Sequence, residues 1–252
     1  MKRTEFAQKK LNEFFGNVEF QSHVTDPEFS EITHNFLYGD IYSHGTLSDK
    51  QRSLIQLVVL TVNQTNDLLG AYIKVALKSG VTPIEIKEAV YQCASYIGFT
   101  KVVLSLRKVN DAFLENDITL PLEKQGTSDE NTREKQGYCL REEIFGVEKT
   151  KNGVENAPDE VKHIQSYLCG YCFGDFYTRN GLDLKTRELL TFCMLAALGG
   201  CEPQLKSHIG GNLNVGNTKE MLFDAVTQCL PHIGFPRTLN AIACIREVVE
   251  KR

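Results

Sequence analysis

No stretch of the 252-residue chain alternates polar and apolar residues convincingly at period two, so strands are expected to be scarce. None runs apolar far enough to cross a bilayer: the longest, FCMLAALGG, has nine residues where about 20 are needed. No Lys/Arg cluster interrupts a net charge of -4, and a chain without a basic face is expected not to bind nucleic acid. The opening MKRTEFAQKKLNEFFG lacks the continuous apolar core of a secretory signal. The Gly-Gly pairs at 199 and 210 follow no strand and lead to no Lys-Ser/Thr, which excludes a phosphate-binding loop. What is present is ordinary for a soluble folded chain, 42% apolar and 24% charged, and long enough for a real core. Eight cysteines without a signal imply reduced thiols in the cytoplasm, most of them acting as small buried hydrophobes.

The dominant positive feature is a repeat. YGDIYSHGTLSDKQRSLIQLVVL from Tyr38 answers FGDFYTRNGLDLKTRELLTFCML from Phe173, sharing Gly39/Gly174, Asp40/Asp175, Tyr42/Tyr177 and Arg52/Arg187. LKSGVTPIEIKEAVYQCASYIGF, ending at Phe99, answers LNVGNTKEMLFDAVTQCLPHIGF, ending at Phe235. The offset rises from 135 to 136 between the blocks, which places one inserted residue around Gly199-Gly200. The order of matches marks a tandem duplication: residues 1–119, a polar joint at 120–135, and residues 136–252.

Each half reads as all-helical. Thr82-Pro83-Ile84-Glu85 supplies an N-cap, a proline in the first turn and a capping-box acid; Ser48-Asp49-Lys50-Gln51 does the same one helix earlier. Gly80 and Gly216 stand where a left-handed stop is needed. IKEAVYQCASYI and MLFDAVTQCLPHI place apolar residues at helical spacing.

The duplication is an internal control, since one scaffold carries two sets of side chains. Glu188 faces Ser53, Cys201 faces Thr65, Gln204 faces Leu68 and His208 faces Tyr72. Residues needed only for folding are expected in both halves; the acid, thiol and imidazole occur in one. Seven residues of helix put Cys201 and His208 on one face with Gln204 between them, and Pro203 fits the first turn. Glu188 joins them only if its helix and the next form a hairpin, and a Glu beside a His makes a proton-transfer pair. The plainer alternative is a capping Glu and a satisfied interfacial His. Arg187 offers positive charge, although its counterpart Arg52 equally suggests a structural ion pair. Cys169-Gly170-Tyr171-Cys172 is either core packing or a redox pair. One short cysteine pair without a second tight ligand pair gives no metal site. His23, His34 and His44 read as surface residues, and His232, aligned with Tyr96, as a partly buried ring.

RELLTFCMLAALGGCEPQLKSHIGGNLNVGNTKEMLFDAVTQCLPHIGFPRTLNA resembles the carboxymuconolactone decarboxylase family, whose relatives include alkylhydroperoxidase D. The shared pattern is an Arg-Glu opening, a long apolar helix, a His on the next, Gly-x-Thr before another, then Gln and Ile-Gly-Phe-Pro; repeat one matches more weakly. The resemblance implies two tandem alkylhydroperoxidase D-like helical repeats. It also implies a homotrimer imitating a six-unit ring and a small-molecule substrate, with no cofactor. Its peroxidase branch carries Glu, Cys-x-x-Cys and a His four residues on. Glu188, Cys201 and His208 match, while Gln204 replaces the second cysteine, leaving a distant resolving thiol such as Cys169 or Cys172. Its decarboxylase branch relies on acid/base groups. That branch implies His208 as proton carrier with Glu188 its partner, Cys201 assisting, and Arg187 and Gln204 on the substrate, a small anionic lactone or keto acid. A helical assembly without catalysis is the third expectation.

Overall fold

The computed structural model describes residues 1–16 and 24–252, so His23 lies outside the described residues. The chain is all-α, and no strand occurs among the described residues. The first half contains α1 (Arg3–Phe15) and α2 (Pro27–His34), which runs on as a π-helix over Asn35–Ile41. It continues through α3 (Asp49–Asn63), α4 (Asn66–Lys78), α5 (Pro83–Gln92), the short α6 (Ala94–Ile97) and α7 (Phe99–Leu114). The second half contains α8 (Arg133–Phe145), α9 (Val147–Glu155) and α10 (Lys162–Tyr167), which runs on as a π-helix over Leu168–Tyr177. It ends with α11 (Leu184–Leu198), α12 (Glu202–Asn214) and α13 (Lys219–Glu250). Helix α8 takes in residues 133–135 of the stretch read as a polar joint.

The local signals act as their chemistry requires. Ser48 and Thr82 accept the N3 amides of α3 and α5, while Gln51 and Glu85 reach back to the cap amides; such a cap contributes about 1 kcal/mol. Gly80 and Gly216 adopt φ of 81° and 92°, where a Cβ is strained. The inserted residue lies at the α11–α12 corner: Gly199, Gly200 and Cys201 occupy a turn that Gln64 and Thr65 span in the first half. Helix α13 is two helices joined at Gly234 (φ 75°, ψ 169°), matching the break at Gly98 (φ 85°) between α6 and α7.

The repeat begins earlier than its sequence signal. Helices α1 and α8 are counterparts, each packed on the π-helix of its own half. Arg3 pairs with Asp40, and Arg133 with Asp175. The crossing is tight: a Cβ on Gly174 would meet the carbonyl of Arg133, and one on Gly39 the carbonyl of Arg3. This register places Leu11 opposite Arg141 and Phe15 opposite Phe145.

The halves are welded by exchange rather than by simple apposition. One apolar core runs through α3, α5, α11 and the first part of α13. Through it, Arg187 reaches Glu88 of the first half at 3.1 Å and Gln92 at 2.9 Å, and Arg179 grips the same carboxylate at 2.9 to 3.0 Å. In return Asp224 accepts the Thr46 amide at 2.8 Å, and Gln228 donates to the Ile41 carbonyl at 3.1 Å. The aligned pairs Glu88/Asp224 and Gln92/Gln228 thus form two clamps related by a pseudo-twofold, and Arg187 joins the first, whereas its counterpart Arg52 bonds carbonyls of its own half.

Candidate active site

A cavity of about 680 Å³ opens between α8, α9, the π-helix of the second half, α12 and the α6 region of the first half. His208, Cys201 and Gln204 line it from α12 and its N-terminus, Cys172 and Phe173 from the π-helix, and Ser95 and Tyr96 from the first half. The expected site is therefore composite: the second repeat does not build it alone. The π-helix contributes because its extra residue per turn turns a wall toward the cavity, a distortion common at functional sites.

At its centre, His208 Nδ1 lies 2.9 Å from Glu188 Oε2 and 3.2 Å from Oε1. Helices α11 and α12 form the hairpin this requires. Glu188 is fully buried behind the imidazole and does not itself line the cavity. Room for its carboxylate comes from Gly211, where a Cβ would stand 2.6 Å from Glu188 Oε2; the first half carries Val75 and Ser53 at these two positions. Sequence reading noted the Gly-Gly pair only as a failed phosphate loop. The signal was there: a small residue opposite a large acid in one half, and the reverse in the other.

A hydroxyl network completes the carboxylate. Tyr177 donates to Glu188 Oε1 at 2.8 Å, and the Tyr96 hydroxyl lies 3.0 Å from that of Tyr177. Since the Tyr177 proton is committed to Glu188, Tyr96 donates to Tyr177. Gln92 donates to Thr191 at 2.8 Å, which sits 2.5 Å from Tyr177. All these donors lead to Glu188, so its oxygens are acceptors throughout, and His208 presents N–H at Nδ1. That tautomer leaves Nε2 as the ring nitrogen turned from the carboxylate. Burial, reinforced by the Glu188 charge, raises Tyr177 well above the ordinary phenol range; burial, the Cys172 thiol and Glu188 do the same for Tyr96. Both stay protonated donors. Phe145 and Tyr96 hold the imidazole edge-on at 5.2 and 6.0 Å.

Arg187 as a substrate contact requires correction, and the cysteines and His34 take the following places. Arg187 is 1% exposed, committed to Glu88, Gln92 and the carbonyls of Arg179 and Asn180, and absent from the cavity wall. Its charge belongs to the clamp between halves, as its counterpart Arg52 hinted. Cys201 lines the cavity, but its Sγ donates to the Leu195 carbonyl at 3.4 Å, a bond that Thr65 repeats to the Leu60 carbonyl at 3.3 Å. Its side chain therefore does the same local work as its non-thiol counterpart. Cys169 and Cys172 are both buried free thiols, and only Cys172 reaches the cavity. Burial pushes Cys172 up to about 11 and also raises Cys201, with Glu202 adding to the latter; neither is an activated thiolate. His34 is half-buried against Tyr38 rather than a plain surface residue.

Two cations of the cavity wall escaped sequence reading. Arg141 on α8 is 8% exposed. Lys149 on α9 donates to Ser207 at 2.7 Å, and partial desolvation lowers its pKa. Both lie before Phe173, where the aligned blocks begin, so no alignment contrast exposed them. No group of three or more His, Cys, Asp or Glu side chains suited to a metal ion occurs among the described residues. Nor is any described helix long and apolar enough to cross a membrane.

Comparisons with known proteins bear on the family and the fold. The sequence profile of the Carboxymuconolactone decarboxylase family matches residues 27–111 and 163–247, one match in each half. A 4-carboxymuconolactone decarboxylase of Acinetobacter baylyi is 32% identical over 116 residues, 46% of this chain and 86% of that protein. A nitrosuccinic acid decarboxylase of Metarhizium robertsii is 25% identical over 114 residues, 45% of this chain and 79% of that protein. Each alignment spans most of the relative and less than half of this chain, as a single unit does against a doubled one. Among solved structures, a chain from Burkholderia xenovorans described as a candidate gamma-carboxymuconolactone decarboxylase subunit superposes with a TM-score of 0.58 at 20% identity, covering 99% of this chain and 98% of that one. At that identity the likeness concerns the fold.

Proposed function

The chain belongs to the carboxymuconolactone decarboxylase family, and from that premise we propose that it decarboxylates a small anionic lactone or keto acid by acid/base catalysis. The carrying observation is the His208 imidazole, held 2.9 Å from a fully buried Glu188 at the wall of a 680 Å³ cavity. In the reaction, the bond between the carboxylate carbon and its neighbour breaks and carbon dioxide leaves. The electron pair passes into the substrate's own conjugated carbonyl as an enolate, so the step needs no prosthetic group. The acid is the imidazolium form of His208, which holds a proton on Nε2 as well as the one on Nδ1 directed at Glu188; its Nε2 proton passes to the enolate carbon to give product, and solvent then protonates Nε2 again. Glu188 is a positioning residue: it fixes the tautomer and stabilises the charged ring, a role worth roughly 10²–10⁴-fold in such pairs. Apolar walls at Phe145, Leu195 and Leu198 favour loss of charge from the departing carboxylate.

The test is release of carbon dioxide from 4-carboxymuconolactone and from nitrosuccinate, the compounds named for the relatives, followed by a wider set of lactone and keto acids. His208→Ala should abolish turnover while leaving the helical circular dichroism unchanged. Turnover within tenfold of wild type in that variant, or no decarboxylation across the set, removes this reading. The thiol peroxidase alternative gains nothing from the sulfurs, since both cavity thiols are pushed toward the protonated form.

We further propose that the chain assembles as a homotrimer. Both halves expose the same apolar positions, Phe29/Ile164, Ile32/Tyr167, Phe99/Phe235 and Val103/Leu239, which is the repeated surface a closed ring of equivalent units requires. Light scattering at the mass of one chain would overturn it.

A further inference from the structure

Arg141 is in an unusual electrostatic position. The residue is more than nine-tenths buried, yet its partners are neutral: Nη1 donates to Cys169 Sγ at 3.1 Å, Nη2 donates to Gln165 Oε1 at 3.3 Å, and the guanidinium lies 5.7 Å from the centre of the Phe173 ring. Its buried Nε has no partner, and no carboxylate among the described residues pairs with it. The other two buried arginines differ: Arg187 holds Glu88, and Arg52 fills its donors with the carbonyls of Ile41, His44 and Leu47. A buried cation without an anion is costly unless something supplies the charge. The duplication shows that the scaffold does not need it, because Leu11 occupies the same place on α1 and packs against that half's apolar cluster. Arg141 thus shares the one-sided distribution of Glu188 and His208, and it lines the same cavity as His208.

We propose that Arg141 is a specificity-determining residue that anchors a second carboxylate of the substrate, the one the reaction leaves in place. The assignment rests on the decarboxylase reading only for which carboxylate is meant. A guanidinium paired with the departing carboxylate would stabilise the ground state more than the transition state, in which that charge moves away, and would slow the step. Paired with a carboxylate that keeps its charge, it binds substrate and transition state alike and orients the reacting carbon toward His208. The planar fork suits a carboxylate, which can take two parallel N–H bonds where neutral acceptors now take one each. Lys149, tied to Ser207 on the same wall, adds positive charge toward the mouth.

The experiment is calorimetric binding of the straight-chain dicarboxylates from succinate to adipate, each against its monomethyl ester, so the readout does not depend on turnover. In the wild type at least one dicarboxylate should bind tenfold or more tightly than its monoester. Arg141→Leu, which installs the first half's residue, should reduce that ratio to below twofold, and Arg141→Lys should keep part of it. Circular dichroism and thermal melting check each variant, and a misfolded Leu variant is replaced by Arg141→Gln. A ratio near one in the wild type, or an unchanged ratio without the guanidinium, overturns the proposal. An Arg141-dependent ratio in a protein that decarboxylates nothing would leave the anchor standing and remove the lyase reading.

Discussion

The two ends of the pseudo-twofold make the same pair of rings meet and set it in opposite surroundings. In the second-half site His208 meets Tyr96 at 6.0 Å; in the first, Tyr72 meets His232 at 5.8 Å, both edge-on. Each pair takes one ring from each half, so a His and a Tyr face one another twice with their positions exchanged. Around His208 stand a buried carboxylate, a buried cation and a cavity. In the first half the positions of that carboxylate and that cation carry Ser53 and Leu11, and the rings of that half pack together, with Phe14 at 5.4 Å from Tyr42 and 6.2 Å from Tyr38. The imidazole at 232 has a buried Nε2 with no partner, and burial lowers its pKa to about 4. An imidazole is thus not enough. The His208 copy differs by a carboxylate on the far ring nitrogen and by space on the near one.

The sharpest way to break that contrast is at Glu188. Glu188→Gln keeps the shape and an acceptor for Nδ1 but removes the charge. We expect a loss of roughly 10²–10⁴-fold in kcat with KM little changed, as for a group whose contribution appears in the transition state. A variant within threefold of wild type would make the carboxylate no different in effect from Ser53.

The clamps offer a second comparison, on stability. Glu88 answers two arginines, one of them buried beside it, whereas Asp224 answers a backbone amide, a hydroxyl and the more distant His44. Removing one partner of a buried pair costs about 3–5 kcal/mol. Urea unfolding of Glu88→Gln should show a loss in that range, and Asp224→Asn a smaller one. Equal losses would mean that the clamps are equivalent and that Arg187 carries no special load.

How far the sequence could be read depends on whether a feature is local, shared or neither. Helix caps at Ser48 and Thr82 are local, and they appear where the residue types demand. The duplication and the Glu188–His208 pair were legible because one half contradicts the other at aligned positions. Arg187 misled for a related reason: a charged residue at the head of an apolar helix looks available, and only the crossing of the halves shows Glu88 opposite it. Arg141 was invisible because α1 and α8 diverge too far to align. Their equivalence rests on glycine contacts and the Arg3–Asp40 and Arg133–Asp175 pairs, which are tertiary facts. The π-helices were equally out of reach, since one extra residue per turn leaves no periodic trace at this length.

His232 gives a smaller effect with a fixed sign. Its folded pKa, near 4, lies below the ordinary value of 6.5, so the unfolded chain takes up the proton first. The native state therefore has its full advantage above pH 6.5 and loses it as pH falls toward 4. At pH 5 the loss is at most about 2 kcal/mol. His232→Phe cannot titrate, so its unfolding free energy should fall less between pH 7 and 5 than that of wild type. Parallel curves would place the ring in contact with water and remove the distinction between it and His208.

The smallest effect should come from Cys201, and it separates two chemistries. Under a thiol peroxidase this sulfur is the nucleophile, and any replacement ends activity. Under the decarboxylase it is a wall residue whose hydrogen bond to Leu195 is the one Thr65 makes to Leu60. Cys201→Thr writes the first half's residue into the second and keeps that bond, so kcat should stay within about threefold and stability within about 0.5 kcal/mol. Thiol titration of the wild type after one equivalent of peroxide should show no rapid loss of a pair, because burial raises the pKa of both Cys201 and Cys172. A tenfold or greater fall in activity, or two thiols lost at once, would make the sulfur a third member of the site and return the asymmetry between Cys201 and Thr65 to the side of function.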